Sequence, residues 1–532
     1  MAEEMKRHYR WLFIALVVIV GAILLVDLIP DGEKASGPVV RFWGAARRVG
    51  GSCLIVENEG TRFIVDCGAL GEQGAGALPP RPDSLAFAIV THAHIDHVGL
   101  LAELFAAGFR GRVYCTPGTA ELAPIMLSMM RGTSREKIPR EAYDRALASL
   151  VPVPFGRTVP ERGVSFRFFR AEHLLGAASV DMRLVSGVDT VRLVVSGDIG
   201  AGNSILLPPA ERPGRADYVI MESTYGGTVR DTSRAAAAGH ETFADSIAKI
   251  IRAGGDVLIP SFTLGRTQEA MAVIDRFIRK GTIPSGTDVY VDSPTARKIT
   301  GVYRRMKGDL SEWARSAYSG EVLRFPELRE VRSRTSLKVH DRTHRPAIFI
   351  SSSGDLAHAN SPRHLMKMYD DPGNLLCIIG WQPPGSLGGR LLAGESPVLV
   401  GHQEGKKFKR DWISPAIATR GFHSFSGHAD ATGLLEWLGA ATGVQCVFLV
   451  HGEERQSLEL EQMIRAKLGL EVTVPRRGDG FVLTARNGAV AKKFPAQAAG
   501  RFDSPAPATV RSDSLTSSEA AAAAGEARES DD

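Results

Sequence analysis

The sequence predicts an α/β protein: a sandwich of two β-sheets flanked by helices, carrying a second, inserted α/β unit. Three observations lead there. Short apolar runs alternate with helical patterns from residue 39 to Glu222, the order expected of layered sheets and helices. At 532 residues the chain exceeds what one hydrophobic core holds, so two domains with appendages are expected. A cluster of histidines stands directly behind one apolar run, and the C-terminal end of a strand is where α/β folds gather their functional side chains.

Residues 1–10 are polar, with Lys6, Arg7 and Arg10, and residues 11–26 are apolar without interruption before Pro30. An uncleaved, single-pass transmembrane anchor over residues 11–30 is expected, with the protein located at a membrane. The small cluster Ala35-Ser36-Gly37 lies too far beyond the run to make a good cleavage site. Lys34, Arg41, Arg47 and Arg48 behind the run nearly cancel the basic residues before it, so charge does not set which side the body faces. From residue 496 onward Pro, Ala, Ser and acidic residues dominate, a composition that cannot bury enough surface to order itself and is read as a tail.

Between these ends the composition is that of a globular protein, 44% hydrophobic and 23% charged. The net charge of +5 permits a phosphate-rich partner without requiring one. Five cysteines, far apart and without a C-x-x-C pair, exclude a disulfide framework and a cysteine zinc finger. Residues 39–54 read as a strand pair around Gly44 and Gly50-Gly51. The run Leu85-Ala86-Phe87-Ala88-Ile89-Val90 reads as a strand that delivers Thr91-His92-Ala93-His94-Ile95-Asp96-His97 to one loop. Imidazole nitrogen with carboxylate oxygen suits zinc and similar divalent metals. His92 and His94 can serve one metal while Asp96 and His97 face a second. A lone histidine is ordinarily a polar or core residue; four ligand types at H-x-H-x-D-H spacing make a metal site.

That stretch resembles the signature of the metallo-β-lactamase superfamily, which implies an αββα sandwich and further ligands at later strand ends. They occur in order as His173 in Ala171-Glu172-His173, Asp198 in Ser196-Gly197-Asp198 and His451 in Val450-His451-Gly452. Phe63-Ile64-Val65-Asp66-Cys67-Gly68 resembles the superfamily's first motif, whose aspartate orients the histidine loop. A lone glutamate at a strand end is usually solvated, but Glu222-Ser223-Thr224-Tyr225-Gly226 resembles the entry to the β-CASP insertion of nucleic-acid-processing members. The same resemblance is carried by Pro260-Ser261-Phe262-Thr263-Leu264-Gly265-Arg266, Val291-Asp292-Ser293-Pro294, Ser351-Ser352-Ser353-Gly354, Gly380-Trp381-Gln382 with Gly388-Gly389-Arg390, and Ser426-Gly427-His428-Ala429-Asp430. The wording is most similar to RNA-processing enzymes akin to the cleavage subunit of the pre-mRNA 3′-end machinery. One departure is Asp355-Leu356-Ala357-His358-Ala359-Asn360, where the group often has Met-x-x-Gly-Gly.

The resemblance divides the folded part into residues 38–224 and 395–495, both metallo-β-lactamase, around a β-CASP domain at 225–394. It implies two divalent ions, zinc or manganese. His92, His94 and His173 would hold one, Asp96, His97 and His451 the other, with Asp198 between them and a bridging hydroxide as nucleophile on phosphorus. Glu222 would orient His428 as general acid, so the catalytic residues are Asp66, Asp96, Glu222 and His428. Ser351, Ser352, Ser353 and Gly354, with Arg266 and Arg390, are the expected contacts to substrate phosphates. The implied activity is ribonuclease, with single-stranded RNA as substrate, a membrane as partner through the N-terminal helix, and a homodimer allowed for. The alternative is a membrane-anchored hydrolase of a small ester, lactone or thioester.

Overall fold

The computed structural model describes residues 37–70, 77–133, 138–230, 235–332, 345–382, 385–405, 407–485 and 492–494. The N-terminal ten residues, the stretch 11–30 and the tail from 496 lie outside them.

Among the described residues the strands form sheets of eight, seven and six strands and one two-stranded ribbon. The eight-stranded sheet runs, in spatial order, Lys492–Phe494, Gly480–Val482, Val39–Phe42, Leu54–Asn58, Thr61–Val65, Phe87–Ile89, Arg112–Cys115 and Leu150–Pro152. The seven-stranded sheet runs Val472–Thr473, Cys446–Val450, Tyr218–Glu222, Asp189–Val195, Ala178–Ser186, Val164–Arg170 and Val159–Glu161. Both draw strands from the start and the end of the chain. The alternation of Val164–Arg170 shows why the sheets face each other: Phe166 and Phe168 point into the core while Arg167 stays outside. Phe42, Phe63, Phe87, Val180, Leu193 and Phe448 meet between the sheets, with Phe63 stacked on Phe87 at 4.4 Å. By contrast Tyr218–Glu222 is buried at every position, as a parallel strand covered on both faces must be. Its outer face, with Val219 and Met221, packs on the helices Ala431–Gly439 and Glu454–Leu468 through Leu434, Trp437 and Leu460. The eight-stranded sheet is covered by helices Leu101–Ala106 and Pro117–Thr133. The layers are therefore helix, sheet, sheet, helix.

The six-stranded sheet is all parallel, in the order Leu328–Glu330, Asp288–Asp292, Ala347–Ser351, Val257–Pro260, Leu375–Ile378 and Ala418–Gly421. It draws its edge strand Ala418–Gly421 from beyond residue 394. The ribbon Val398–Glu404 with Lys407–Ile413 lies against its core through Val398, Val400 and Ile413. Because Tyr218–Glu222 pairs in parallel with Cys446–Val450, Glu222 opposite Val450, the chain leaves the sandwich and re-enters it at adjacent strands.

The expected transmembrane anchor and membrane location are corrected. Among the described residues no helix is long and apolar enough to cross a membrane. The apolar run at 11–26 falls short of the about 20 residues a span needs, and the stretch lies outside the described residues.

Candidate metal centre

Each candidate ligand stands where a strand stops. The strand Phe87–Ile89 runs into His92 and His94, and a single helical turn, Ile95–Val98, carries Asp96 and His97. His173 follows Val164–Arg170, Asp198 follows Asp189–Val195, and His451 follows Cys446–Val450 with a left-handed φ of 50°. The seven side chains converge. Nitrogen or oxygen atoms of His92, His94, His173 and Asp198 lie within 4.8 Å of one another, and so do those of Asp96, His97 and His451. Asp198 stands between the groups. Its Oδ2 is 3.5 Å from His92 Nε2, 3.4 Å from His97 Nε2 and 3.6 Å from His173 Nε2, while Oδ1 is 3.4 Å from His451 Nδ1.

The surrounding bonds fix which nitrogen of each ring faces inward. Asp66 accepts from the Thr91 amide and hydroxyl, both at 2.8 Å, and from His97 Nδ1 at 2.7 Å, so His97 turns Nε2 toward Asp198. His173 Nδ1 donates to the Gly427 carbonyl at 2.6 Å, leaving Nε2 2.9 Å from His94 Nδ1. Thr224 Oγ1 donates to the His451 carbonyl at 2.8 Å and lies 3.2 Å from its Nδ1. Beside this ring, Glu222 takes the Ile199 amide at 2.7 Å and His428 Nδ1 at 3.0 Å, and His428 stands 4.0 Å from Asp198. His428 keeps 20% of its side chain exposed, whereas Glu222 is buried.

Comparison with known proteins agrees with this geometry. Residues 46–261 match the metallo-beta-lactamase superfamily, 267–391 the Beta-Casp domain, and 417–475 the Zn-dependent metallo-hydrolase RNA specificity domain. Ribonuclease TTHA0252 of Thermus thermophilus is 32% identical over 449 residues, covering 82% of this chain and 98% of that protein. The chain belongs to the β-CASP group of the metallo-β-lactamase superfamily. An RNase J-like protein of Methanocaldococcus jannaschii is 29% identical over 83% of this chain and 98% of its own length. Transcription termination factor FttA of Methanothermobacter thermautotrophicus is 28% identical over 81% of this chain and 70% of its own. The protein is a metallo-hydrolase of this RNA-processing family.

The cluster of this β-CASP hydrolase is suited to metal. His92 Nε2 and Asp198 Oδ1 are buried without a hydrogen-bond partner, an arrangement that protein groups alone leave costly. Burial, with His97 adding to it, drives His92 below its ordinary pKa; burial takes His94 down to about 4 and also lowers His173. These three rings are held neutral, the form that ligates metal. Burial pulls His97 and His451 the same way but is outweighed, by Asp198 and Asp66 at His97 and by Asp198 and Asp96 at His451, so both end raised.

The expected substrate contacts fare differently. Arg266 does not point to open solvent: its guanidinium bonds the carbonyls of Phe425 and His173, bracing the two loops that carry His428 and His173. Ser351 bonds the Asp292 carbonyl, Ser352 bonds Ser293, Ser353 bonds Asp355, and the Gly354 carbonyl accepts from Gln382. Arg390 is paired with Glu395. Among the described residues no hydrogen bond joins these serines or Arg390 to the histidines of the metal centre. Residues not singled out from the sequence include Thr91, Thr224 and Glu172. Glu172 accepts the amides of Ser204 and Ala210, and burial raises it to about 7. Adjacency was the available signal, since each sits next to or within a motif already read.

Proposed function

We propose that the chain is a metal-dependent ribonuclease that hydrolyses phosphodiester bonds of single-stranded RNA with two divalent ions, zinc or manganese. The observation that carries this reading is the Glu222–His428 pair at 3.0 Å, set 4.0 Å from Asp198. Cleavage of a phosphodiester expels an alkoxide that a proton donor on the rim of the metal centre serves, whereas the thiolate of a thioester leaves without one. Against a small ester, which also expels an alkoxide, stands the similarity to a ribonuclease and to an RNA specificity domain.

Bound divalent ions lower the pKa of water and offset charge developing on the phosphoryl group. His92, His94 and His173 are the proposed ligands of one ion, Asp96, His97 and His451 of the other, with Asp198 shared. Asp66 holds Thr91 and His97, and through them the register of the histidine loop. Glu222 binds His428 through Nδ1–H, so the proton available to the leaving oxygen is the one on Nε2. The partial exposure of His428 gives a substrate access to that proton. The inserted unit, residues 225–394 together with the ribbon and edge strand that follow them, would form the other wall of a substrate channel. The membrane-anchored small-molecule hydrolase loses the anchor that motivated it.

Labelled single-stranded RNA incubated with the full chain and zinc or manganese tests this. Metal-dependent cleavage lost in both Asp198→Ala and His428→Ala is the expected result. A folded, metal-loaded wild type that leaves the RNA intact overturns it.

A further inference from the structure

Gly354 and Gly380 lie outside the left-handed region of φ, so their backbone does not demand glycine. Space does. A Cβ on Gly354 would come 3.0 Å from Phe262 Cδ2, and one on Gly380 would come 3.1 Å from Phe262 Cε2. The two glycines form a seat for one edge of the ring. A ring fitted this closely is ordinarily being buried, yet Phe262 keeps 40% of its surface exposed, and Trp381, next in the chain to Gly380, keeps 50%.

The position of this seat gives it meaning. Val257–Pro260, Ala347–Ser351 and Leu375–Ile378 are parallel neighbours, and Phe262, Gly354 and Gly380 stand just past their C-terminal ends, where open α/β sheets bind ligands. Three residues beyond Phe262, Gly265 approaches Leu174, the neighbour of His173. Three residues span at most about 11 Å, so the backbone of Phe262 lies within about that reach of Gly265, which meets the loop that carries His173.

We propose that Phe262, with Trp381 beside it, is a stacking platform for an unpaired nucleobase of the RNA next to the cleaved bond. The proposal rests on the ribonuclease reading and adds how the strand is held. An exposed, rigidly seated aromatic ring binds any base through its π-face and requires that base to be unstacked from a duplex, so it selects single strands without reading sequence. The hydroxyl of Ser352 is engaged by Ser293 and that of Ser353 by Asp355, which leaves the rings as the open binding surface of this edge.

The test uses the full, zinc-loaded chain on labelled single-stranded RNA and on a set of the same oligomer with one abasic residue stepped along it. In the wild type one abasic position near the cleaved bond raises KM about tenfold, the scale of one lost base–aromatic stack, with kcat within about twofold. Phe262→Ala raises KM for intact RNA by a similar factor and no longer responds to that abasic position, and Phe262→Tyr restores both. Trp381→Ala, an exposed change that leaves the seat in place, raises KM about threefold and serves where Phe262→Ala does not fold. A folded Phe262→Ala with wild-type KM and unchanged abasic sensitivity overturns the platform while leaving the ribonuclease reading intact; so does a wild-type KM in Trp381→Ala where that variant stands in. A wild type that cleaves none of the oligomers overturns both.

Discussion

His428 meets Glu222 at 3.0 Å beside the metal centre, and His364 meets Asp292 at 2.8 Å in the inserted sheet. By distance alone the pairs are interchangeable; their surroundings separate them. Asp292 also accepts from Arg363 at 2.8 Å and Asn360 at 3.1 Å, and His364 is closed in against Phe349. The Asp292 carboxylate is shared by three side chains, and the cluster ties Ser361–Met368 to the strand Asp288–Asp292. Around Glu222 the bonding stops short. His428 is partly open, and in the adjoining ring the buried His92 Nε2 and Asp198 Oδ1 make no hydrogen bond. A histidine–carboxylate contact marks a reactive site where its neighbourhood is left incomplete, and a structural tie where it is saturated.

Removing Asp198 breaks the comparison most severely. Asp198→Ala takes the shared carboxylate from between the histidines, and metal-dependent cleavage falls at least about 10³-fold together with metal content measured by atomic absorption. Next in size, His428→Ala lowers kcat by about 10²–10⁴, the usual worth of a positioned general acid, with metal content unchanged. Asp292→Ala gives the opposite pattern: kcat stays within about threefold, while unfolding free energy drops by about 3 kcal/mol because Arg363 and His364 lose their shared acceptor. Equal loss of kcat in the two pairs would erase the distinction.

A third histidine sharpens it. His240, on the helix Ala235–Ala253, has no carboxylate partner among the described residues, and burial against Phe425 lowers it to about 4 from 6.5. Above pH 6.5 it is neutral in both folded and unfolded chains and adds nothing. As pH falls toward 4 the unfolded chain takes up a proton that the folded one refuses, so stability is lost through that window, on the order of 3 kcal/mol in total. His240→Phe flattens this part of the stability curve, measured by denaturant unfolding at pH 7 and pH 4.5.

The convergence of the candidate ligands was partly readable in the chain because strand ends deliver single side chains: the spacing of His92, His94, Asp96 and His97 declares itself locally. Asp198, Glu222, His428 and His451 needed family resemblance, since nothing near Asp198 in sequence says that His451 will stand 3.4 Å away. The layered sheets were legible from alternation such as that of Val164–Arg170. Arg266 was not, because a guanidinium aimed at two carbonyls has the same local sequence as one aimed at phosphate. The anchor was overread from an apolar run shorter than the about 20 residues a span needs.

The parallel pairing of Tyr218–Glu222 with Cys446–Val450 has a consequence in time. His451 bonds Asp96 across 355 residues of chain, so the ring of ligands stays open until the second of these strands leaves the ribosome. At about 5–20 residues per second, roughly 20–70 s separate the emergence of the two residues. Throughout that interval the nascent chain lacks His451, so the cluster on which the proposed reaction depends is unfinished beside the messenger that encodes it.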